Sequence, residues 1–246
     1  MSIVPSISRV QRVRHELKIR ELQVVRAETL SPHFRRIVFS GDDLAGFISA
    51  SFDDHIKLIL DSSDGASVRR DYTPRHYDAA RQELALDFCL HEAGAASDWA
   101  AQASAGDMAS IGGPRGSFVI PLDYDWHLLV GDDTALPAIA RRLEELPAGV
   151  KAVVVLHIAD TADRRLPATR AELTVHWCDH ADAVLTQMQS IALPDGEGYA
   201  WCAGEASMVA AARRILIDEK HHPRSAIRAA AYWKRGSNGH HENLDD

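Results

Sequence analysis

The chain has little cysteine. Cys89, Cys178 and Cys202 are three thiols in 246 residues, far apart, odd in number and without a C-x-x-C pair. This excludes a disulfide framework or a cysteine-held iron–sulfur cluster and predicts reduced, buried thiols. Long apolar runs are missing: nothing approaches the ~18 residues of a membrane helix. Residues 1–15 show neither the apolar core nor the cleavage site of a secretory leader. A cytoplasmic protein without membrane insertion is therefore expected. Positive charge is also short, with 27 Lys and Arg against 35 Asp and Glu and a formal net charge of -8. Such a field repels nucleic acid, so no nucleic-acid partner is expected, and an anionic small molecule must be met by a local basic patch. Histidines are numerous, but the pairs His221–His222 and His240–His241 lie in polar segments without spaced ligands. They are expected at the surface, and no metal site is expected.

What is present divides near the middle. In HIKLILD, Ile56, Leu58 and Leu60 alternate with His55, Lys57 and Ile59; in ELALDFCL, Leu84, Leu86, Phe88 and Leu90 alternate with Ala85, Asp87 and Cys89. A period of two is that of a strand with two unlike faces. Residues 34–40, 69–77 and 107–113 read the same way between Gly, Asp and Ser turns, so residues 1–123 predict a small antiparallel barrel. One helix over 97–104 interrupts it, with Ser97 as N-cap. Beyond Pro121, apolar strands alternate with helical stretches: 126–131, 150–160, 172–177, 198–204 and 225–233 as strands. Residues 124–246 thus predict a doubly wound parallel sheet covered on both faces. The polar tail from Gly236 is expected to be mobile.

Several short patterns carry chemistry, each beside a plainer reading. RRDYTPR puts Arg70 and Tyr72 on one side of a strand, a fork for phosphate and a flat face for a planar ring; alone it is equally a strand with a charged outer face. LHEAGAASDWA runs from a strand through a glycine turn into a helix, whose free N–H groups suit a pyrophosphate or simply end a turn. GDDTALPAIA follows the first parallel strand, but Asp133 stands where G-x-G-x-x-G has its second glycine. WCAGEASMV repeats the arrangement at a later strand. Two such ends in one sheet suggest a nucleotide across them, because open parallel sheets bind ligands at the carboxyl ends of strands. YWKRG closes the last strand with two aromatics and two cations, the composition also of a solvated edge.

Taken in order, these pieces resemble the ferredoxin-reductase-like flavoproteins, and within them the siderophore-interacting proteins, FAD-dependent ferric-siderophore reductases. The matching stretches are DHIKL (54–58), RDYTPR (70–75), DFCLH (87–91), ASDWA (96–100), GDM (106–108), GPRGS (113–117), GDDTALPAI (131–139), AGE (203–205) and YWKRG (232–236). Glu92 and Ala95 depart from the family's usual Gly and Pro at the phosphate turn. The resemblance implies a six-stranded antiparallel FAD barrel at 1–123 and an NAD(P)H domain at 124–246. It implies that Arg70, Tyr72, Thr73, Asp87, Leu90, His91, Ala96, Ser97 and Trp233 attend FAD, with Tyr72 on the ring, Arg70 toward the phosphates and Trp99 behind. Gly131, Thr134, Ala135, Pro137, Ala203, Gly204 and Glu205 would receive the nicotinamide nucleotide. Lys57, Arg115 and Lys234, each from a matching stretch, are the candidate basic patch for an anionic ferric chelate.

The activity so implied passes electrons from NADPH or NADH through FAD to a ferric siderophore, and no acid–base dyad or nucleophile is required. NADPH is the expected donor: Arg164 and Arg165 offer charge for a 2′-phosphate, although Asp160 suits a free ribose hydroxyl. A monomer is expected. The rival readings are a general NAD(P)H:flavin or quinone reductase on the same fold and a non-catalytic siderophore-binding protein.

Overall fold

The structure, a computed structural model, describes residues 9–61, 67–90, 94–236 and 242–244. The alternating first half forms β1 (Gln11–Arg14), β2 (Ile19–Ser31), β3 (Phe34–Ser40), β4 (Ile56–Asp61), β5 (Ser67–Tyr72), β6 (His76–Asp78) and β7 (Glu83–Cys89). After α1 (Ala95–Gln102) come β8 (Met108–Gly112) and β9 (Gly116–Val119). Seven of these strands pair in the antiparallel order β5-β4-β8-β2-β3-β7-β6, while β1 and β9 form a separate ribbon. The sheet curls until Tyr72 on β5 meets Phe88 on β7, ring centroids 4.3 Å apart. Leu22, Ile37, Phe39, Ile56, Leu58, Leu86, Phe88 and Ile111 point inward and are buried, each contributing about 1.5–3 kcal/mol of apolar burial.

Two local expectations change. The single strand expected over 69–77 is broken at Thr73–Pro74, since proline has no N–H for a ladder, and the main sheet has seven strands where six were expected. The helix begins at Ala95 with Gly94 as its cap, not at Ser97. Two alanines, the best helix formers, precede Ser97, and the Asp98 N–H already donates to Gly94 O at 2.8 Å. Ser97 is therefore inside the first turn, and buried.

The second half forms β10 (Trp126–Gly131), α2 (Leu136–Glu145), β11 (Lys151–His157), β12 (Glu172–Cys178), α3 (Ala181–Ser190), β13 (Gly198–Glu205), α4 (Ala206–Arg214), β14 (Ile227–Trp233) and β15 (Glu242–Asn243). The order is β12-β11-β10-β13-β14-β15, parallel except for β15. Every residue of β10 is buried, and β13 is buried up to Glu205. Strand order reverses at β10, so the crevice for a ligand opens at the carboxyl ends of β10 and β13. The tail departs from expectation: Glu242 pairs with Ala231, and the Leu244 N–H donates to Ala229 O at 2.8 Å. An uncovered β14 would leave a row of unpaired backbone groups, and these residues cover it. His222 is also not a surface residue. It is buried beside Trp126, ring centroids 5.1 Å apart, and burial pushes its pKa down.

Polar bolts hold the two units together. Arg141 on α2 donates to Ser49 O (2.9 Å), Ser49 Oγ (2.8 Å) and Pro74 O (2.8 Å). Arg142 donates to the carbonyls of Ile120 and Pro121 at 3.0 and 2.7 Å. Arg75 grips Glu144 with two bonds of 2.6 Å. Asp53, buried, accepts from Arg228 Nε at 3.0 Å and from Trp201 Nε1 at 2.8 Å. Burial and pairing on both sides of the seam fix where the curled sheet meets the parallel one.

Candidate functional site: a cleft between two sheets

On the barrel side, Tyr72 ends β5 half-buried. Phe88 braces its ring, Trp99 lies 6.0 Å beyond Phe88, and Trp99 stacks on Phe39 at 6.2 Å with planes 6° apart. Burial pushes the Tyr72 phenol well above its usual pKa, with Cys89 adding to the rise, so the hydroxyl stays protonated. Arg70 is half-buried and donates to Arg69 O at 2.9 Å. Thr73 is buried and hydrogen-bonds Tyr232 of the other unit. Leu90 is half-buried at the end of β7, Ala96 and Ser97 are buried in the first turn of α1, and Ala95 is exposed. His91 and Glu92 lie outside the described residues. Asp87 is committed elsewhere: directly opposite Arg36 in the ladder, it accepts two bonds of 2.6 and 2.8 Å and has Arg75 Nε at 3.8 Å. What it can offer a cofactor passes through those arginines. A braced, half-open aromatic ring beside the start of a helix fits a group with a flat ring and a pyrophosphate, the needs of FAD.

On the other side, Gly131 ends β10 where a Cβ would stand 2.5 Å from Ala135 Cβ and 2.7 Å from Ala203 O. Only glycine lets the turn fold back this tightly. Gly204 has φ +138, and a Cβ there would meet Asp132 Oδ2 at 2.5 Å. Asp132, buried, accepts four bonds and ties three chain segments together. Its Oδ1 accepts from Thr134 N (3.0 Å) and Thr134 Oγ1 (2.5 Å), its Oδ2 from Glu205 N (2.8 Å) and Trp233 Nε1 (2.9 Å). Ala203 is fully buried, and Ala135 and Pro137 are buried where α2 begins. Glu205 caps α4, accepting from Ser207 N at 2.7 Å and Met208 N at 3.1 Å. Burial alone would raise its pKa; these bonds hold it below the usual value. Trp233, exposed on its outer side, thus sits at the same node as the turn that follows Gly131.

The two sides touch at Cys89. Burial, then the charge and hydrogen bond of Asp133, push its thiol far up, so it is no thiolate nucleophile. At the rim, His33 from the β2–β3 turn donates its N–H to Asp163 at 3.1 Å and places Nδ1 2.7 Å from the same carboxylate, with Asp160 at 3.7 Å. Asp160 caps the turn that follows β11. Arg164 donates to Ile158 O and pairs with Asp179, and Arg165 lies over the Phe34 ring at 5.1 Å. Both expected phosphate cations therefore have local occupations. Of the candidate basic patch, Lys57 and Arg115 share one end of the curled sheet, since Lys57 faces Gly112 in the β4–β8 register. Lys57 pairs with Asp71 at 2.7 Å, an exposed pair that holds the side chain weakly. Arg115 and Lys234 are exposed, Lys234 one residue past β14 on the other unit.

Asp132, Asp53, Arg141 and Arg228 were not singled out from sequence. Asp132 had a signal, an acid just after a strand and before a helical turn, the position of a cap. The others had none, because Asp53 and Arg228 meet only through the fold.

An antiparallel sheet with a braced ring thus meets, at a cleft, the switch point of a parallel sheet. Residues 124–236 match the family model described as siderophore-interacting protein, and residues 23–68 and 61–118 match that of the siderophore-interacting FAD-binding domain. The chain belongs to the siderophore-interacting protein family. It is 40% identical over 248 residues to an Escherichia coli protein named NADPH-dependent ferric-chelate reductase, covering 91% of this chain and 96% of the relative. It is 31% identical over 245 residues to the ferric vibriobactin reductase ViuB of Vibrio cholerae, covering 89% and 90%. The crystal structure of a siderophore utilization protein from T. fusca superposes with a TM-score of 0.87 at 31% identity, covering 94% of this chain and 98% of that one.

Proposed function

We propose that this chain reduces ferric siderophores with electrons from NADPH, using bound FAD. The observation that carries the reading is the cleft itself. A braced Tyr72 faces, across Cys89 and Asp133, the Gly131 and Gly204 turns of a nucleotide-type switch point, with Lys57 and Arg115 at the barrel's end. FAD, when bound, accepts electrons in a pair and releases them singly, which a ferric acceptor needs. The residues bind and orient. Tyr72 supports the flavin ring, Arg70 and the α1 turn with Ala96 and Ser97 receive its phosphates, and Leu90 lines the path between. Gly131, Thr134, Ala135, Pro137, Ala203, Gly204 and Glu205 shape the nicotinamide nucleotide's site, with Trp233 pinned beside it. The donor is assigned as NADPH by likeness to the Escherichia coli reductase named for it. Lys57, Arg115 and Lys234 hold the anionic chelate; reduction loosens the iron because hard oxygen donors favour the ferric ion.

We take the boundary between the units at 123/124, a reading supported by the second family match beginning at residue 124. No helix among the described residues is long and apolar enough to cross a membrane. We assign the working state as a monomer in the cytoplasm, where NADPH is supplied.

Lys57→Ala with Arg115→Ala is the test. The Michaelis constant for a trianionic ferric tricatecholate should rise several-fold, while flavin content and NADPH oxidation by a neutral quinone stay near the parent. Equal loss toward both acceptors would place the chelate elsewhere. Rapid quinone turnover without any ferric-chelate turnover would favour a general reductase, and a colourless protein a binding module.

A further inference from the structure

The link between β1 and β2 gathers cations that neither cofactor site uses. Arg14, His15, Lys18 and Arg20 lie within seven positions, opposed there only by Glu16. With Glu16, Gly46, Ile48, Gly113 and Pro114 they line a cavity of about 220 Å³. At ~30 Å³ per water this is the space of roughly seven waters, enough for one aromatic ring or a carboxylate arm. Arg20 forms the floor. It is only 5% exposed and lies 5.3 Å from the Phe47 ring. Its Nη1 donates to Gly113 O at 3.1 Å and to Lys18 O at 3.4 Å, while its buried Nε meets no acceptor in the protein. That Nε has no surface open to the cavity, so what the floor offers an anion is the charge of a guanidinium held by carbonyl oxygens rather than by a carboxylate.

The walls are built rather than incidental. The His15 N–H donates to Arg115 O at 3.0 Å, His15 Nε2 lies 2.8 Å from Ser117 Oγ, and the Gly113 N–H donates to Lys18 O at 3.1 Å. Among the described residues, the Lys18 ammonium pairs with the exposed Glu16, at 3.1 Å. The cavity's lining residues Gly113 and Pro114 therefore lie between Arg115 and the Gly112 that faces Lys57. We propose that the cavity is a subsite for an anionic arm of the ferric chelate, catecholate or carboxylate oxygens lying beyond those held by Lys57 and Arg115. The proposal rests on the ferric-chelate reading of the cleft.

The test is equilibrium binding to the flavin-loaded protein, free of turnover, followed by tryptophan fluorescence. The probes are a redox-inert trianionic gallium(III) tricatecholate and a neutral gallium(III) trihydroxamate. Arg14→Ala with Lys18→Ala removes two exposed walls without touching the core. Arg81→Ala with Lys151→Ala removes the same charge at exposed positions elsewhere. The pocket pair should weaken the trianion about tenfold, from two partly screened ion contacts, and flatten its salt dependence. The neutral probe, and the trianion on the control pair, should change less than about twofold. Equal weakening by both pairs would reduce the effect to the general field and overturn the subsite. So would unaltered affinity in the pocket pair while the parent binds the trianion. A parent that binds neither probe would remove the ferric-chelate reading, and the subsite with it.

Discussion

Replacing Arg141 by alanine is expected to loosen the seam that shapes the cleft. The side chain is 15% exposed and crosses from α2 to the barrel, donating three bonds of 2.8–2.9 Å to Ser49 O, Ser49 Oγ and Pro74 O. A bond from a charged donor contributes about 1.5–3 kcal/mol net, so three near the lower figure give roughly 5 kcal/mol. Releasing the frozen side chain returns about 2 kcal/mol. About 3 kcal/mol of destabilisation remains. With a urea slope of about 2 kcal/mol/M, the unfolding midpoint should fall by roughly 1.5 M. Asp54 adds a pH signature. Burial raises its pKa, while hydrogen bonds from Ser117, Ser51 and Ser49 and the charge of Arg141 oppose the rise. A raised carboxyl contributes stability at low pH that is lost as pH rises through its folded value. Without Arg141 the Asp54 value rises further, so the deficit of Arg141→Ala should be larger at pH 7 than at pH 4. The measurement is urea unfolding of parent and variant at both values, with Arg141→Lys expected to recover part of the loss. A midpoint shift below about 0.5 M at pH 7, or a larger deficit at pH 4, would refute the reasoning. In turnover, the variant should raise the Michaelis constant for NADPH while leaving flavin content near the parent's.

Tyr72→Ala should cut flavin occupancy, read as the ratio of blue to ultraviolet absorbance. A stacked ring contributes about 1–3 kcal/mol, a roughly 5- to 150-fold loss of affinity, and unchanged occupancy would remove the ring's role. Acid release of the flavin should yield FAD, since the α1 turn offers a second phosphate grip; predominant FMN on chromatography counts against that grip. Gly131→Ala should destabilise by about 1–3 kcal/mol, because the new methyl meets Ala135 Cβ and Ala203 O, and should weaken NADPH more than FAD. The His33–Asp163 clasp gives a window in pH. The bond to Asp163 raises His33, whose contribution is present below about 6.5 and lost as pH rises through its raised value. Burial alone would raise Asp163, yet neighbouring hydrogen bonds, His33's among them, hold it low. Its contribution is present above about 3.9 and lost as pH falls through the lowered value. The melting temperature of His33→Ala should trail the parent most between those limits and converge above pH 8; a constant gap contradicts the clasp.

Much of the architecture is legible in the chain itself. Alternation at 56–60 and 84–90 and the solid apolar runs at 126–131 and 198–204 are local patterns whose period fixes strand type. The change of pattern after Pro121 separates the two units. The Gly131 and Gly204 turns were legible because close backbone approach admits one residue type. Other features could be decided only by tertiary structure. Pro74 breaks what alternation reads as one strand, and Ala95–Ala96 start the helix before Ser97 can cap it. The polar Glu242–Leu244 gains a place only because β14 has an edge to cover. Asp87, Arg164 and Arg165 read as cofactor groups in the sequence, and the fold gives each a protein partner: Arg36, Asp179 and the Phe34 ring. Asp53 with Arg228, Arg141 with Ser49, and Arg20 beneath the β1–β2 link leave no local trace, because each depends on segments far apart in sequence. Hydrophobic period is a property of neighbours along the chain and survives in one dimension. Which charge meets which, and which guanidinium is left with an unfilled donor, is a property of three-dimensional packing and exists only once the sheets have met.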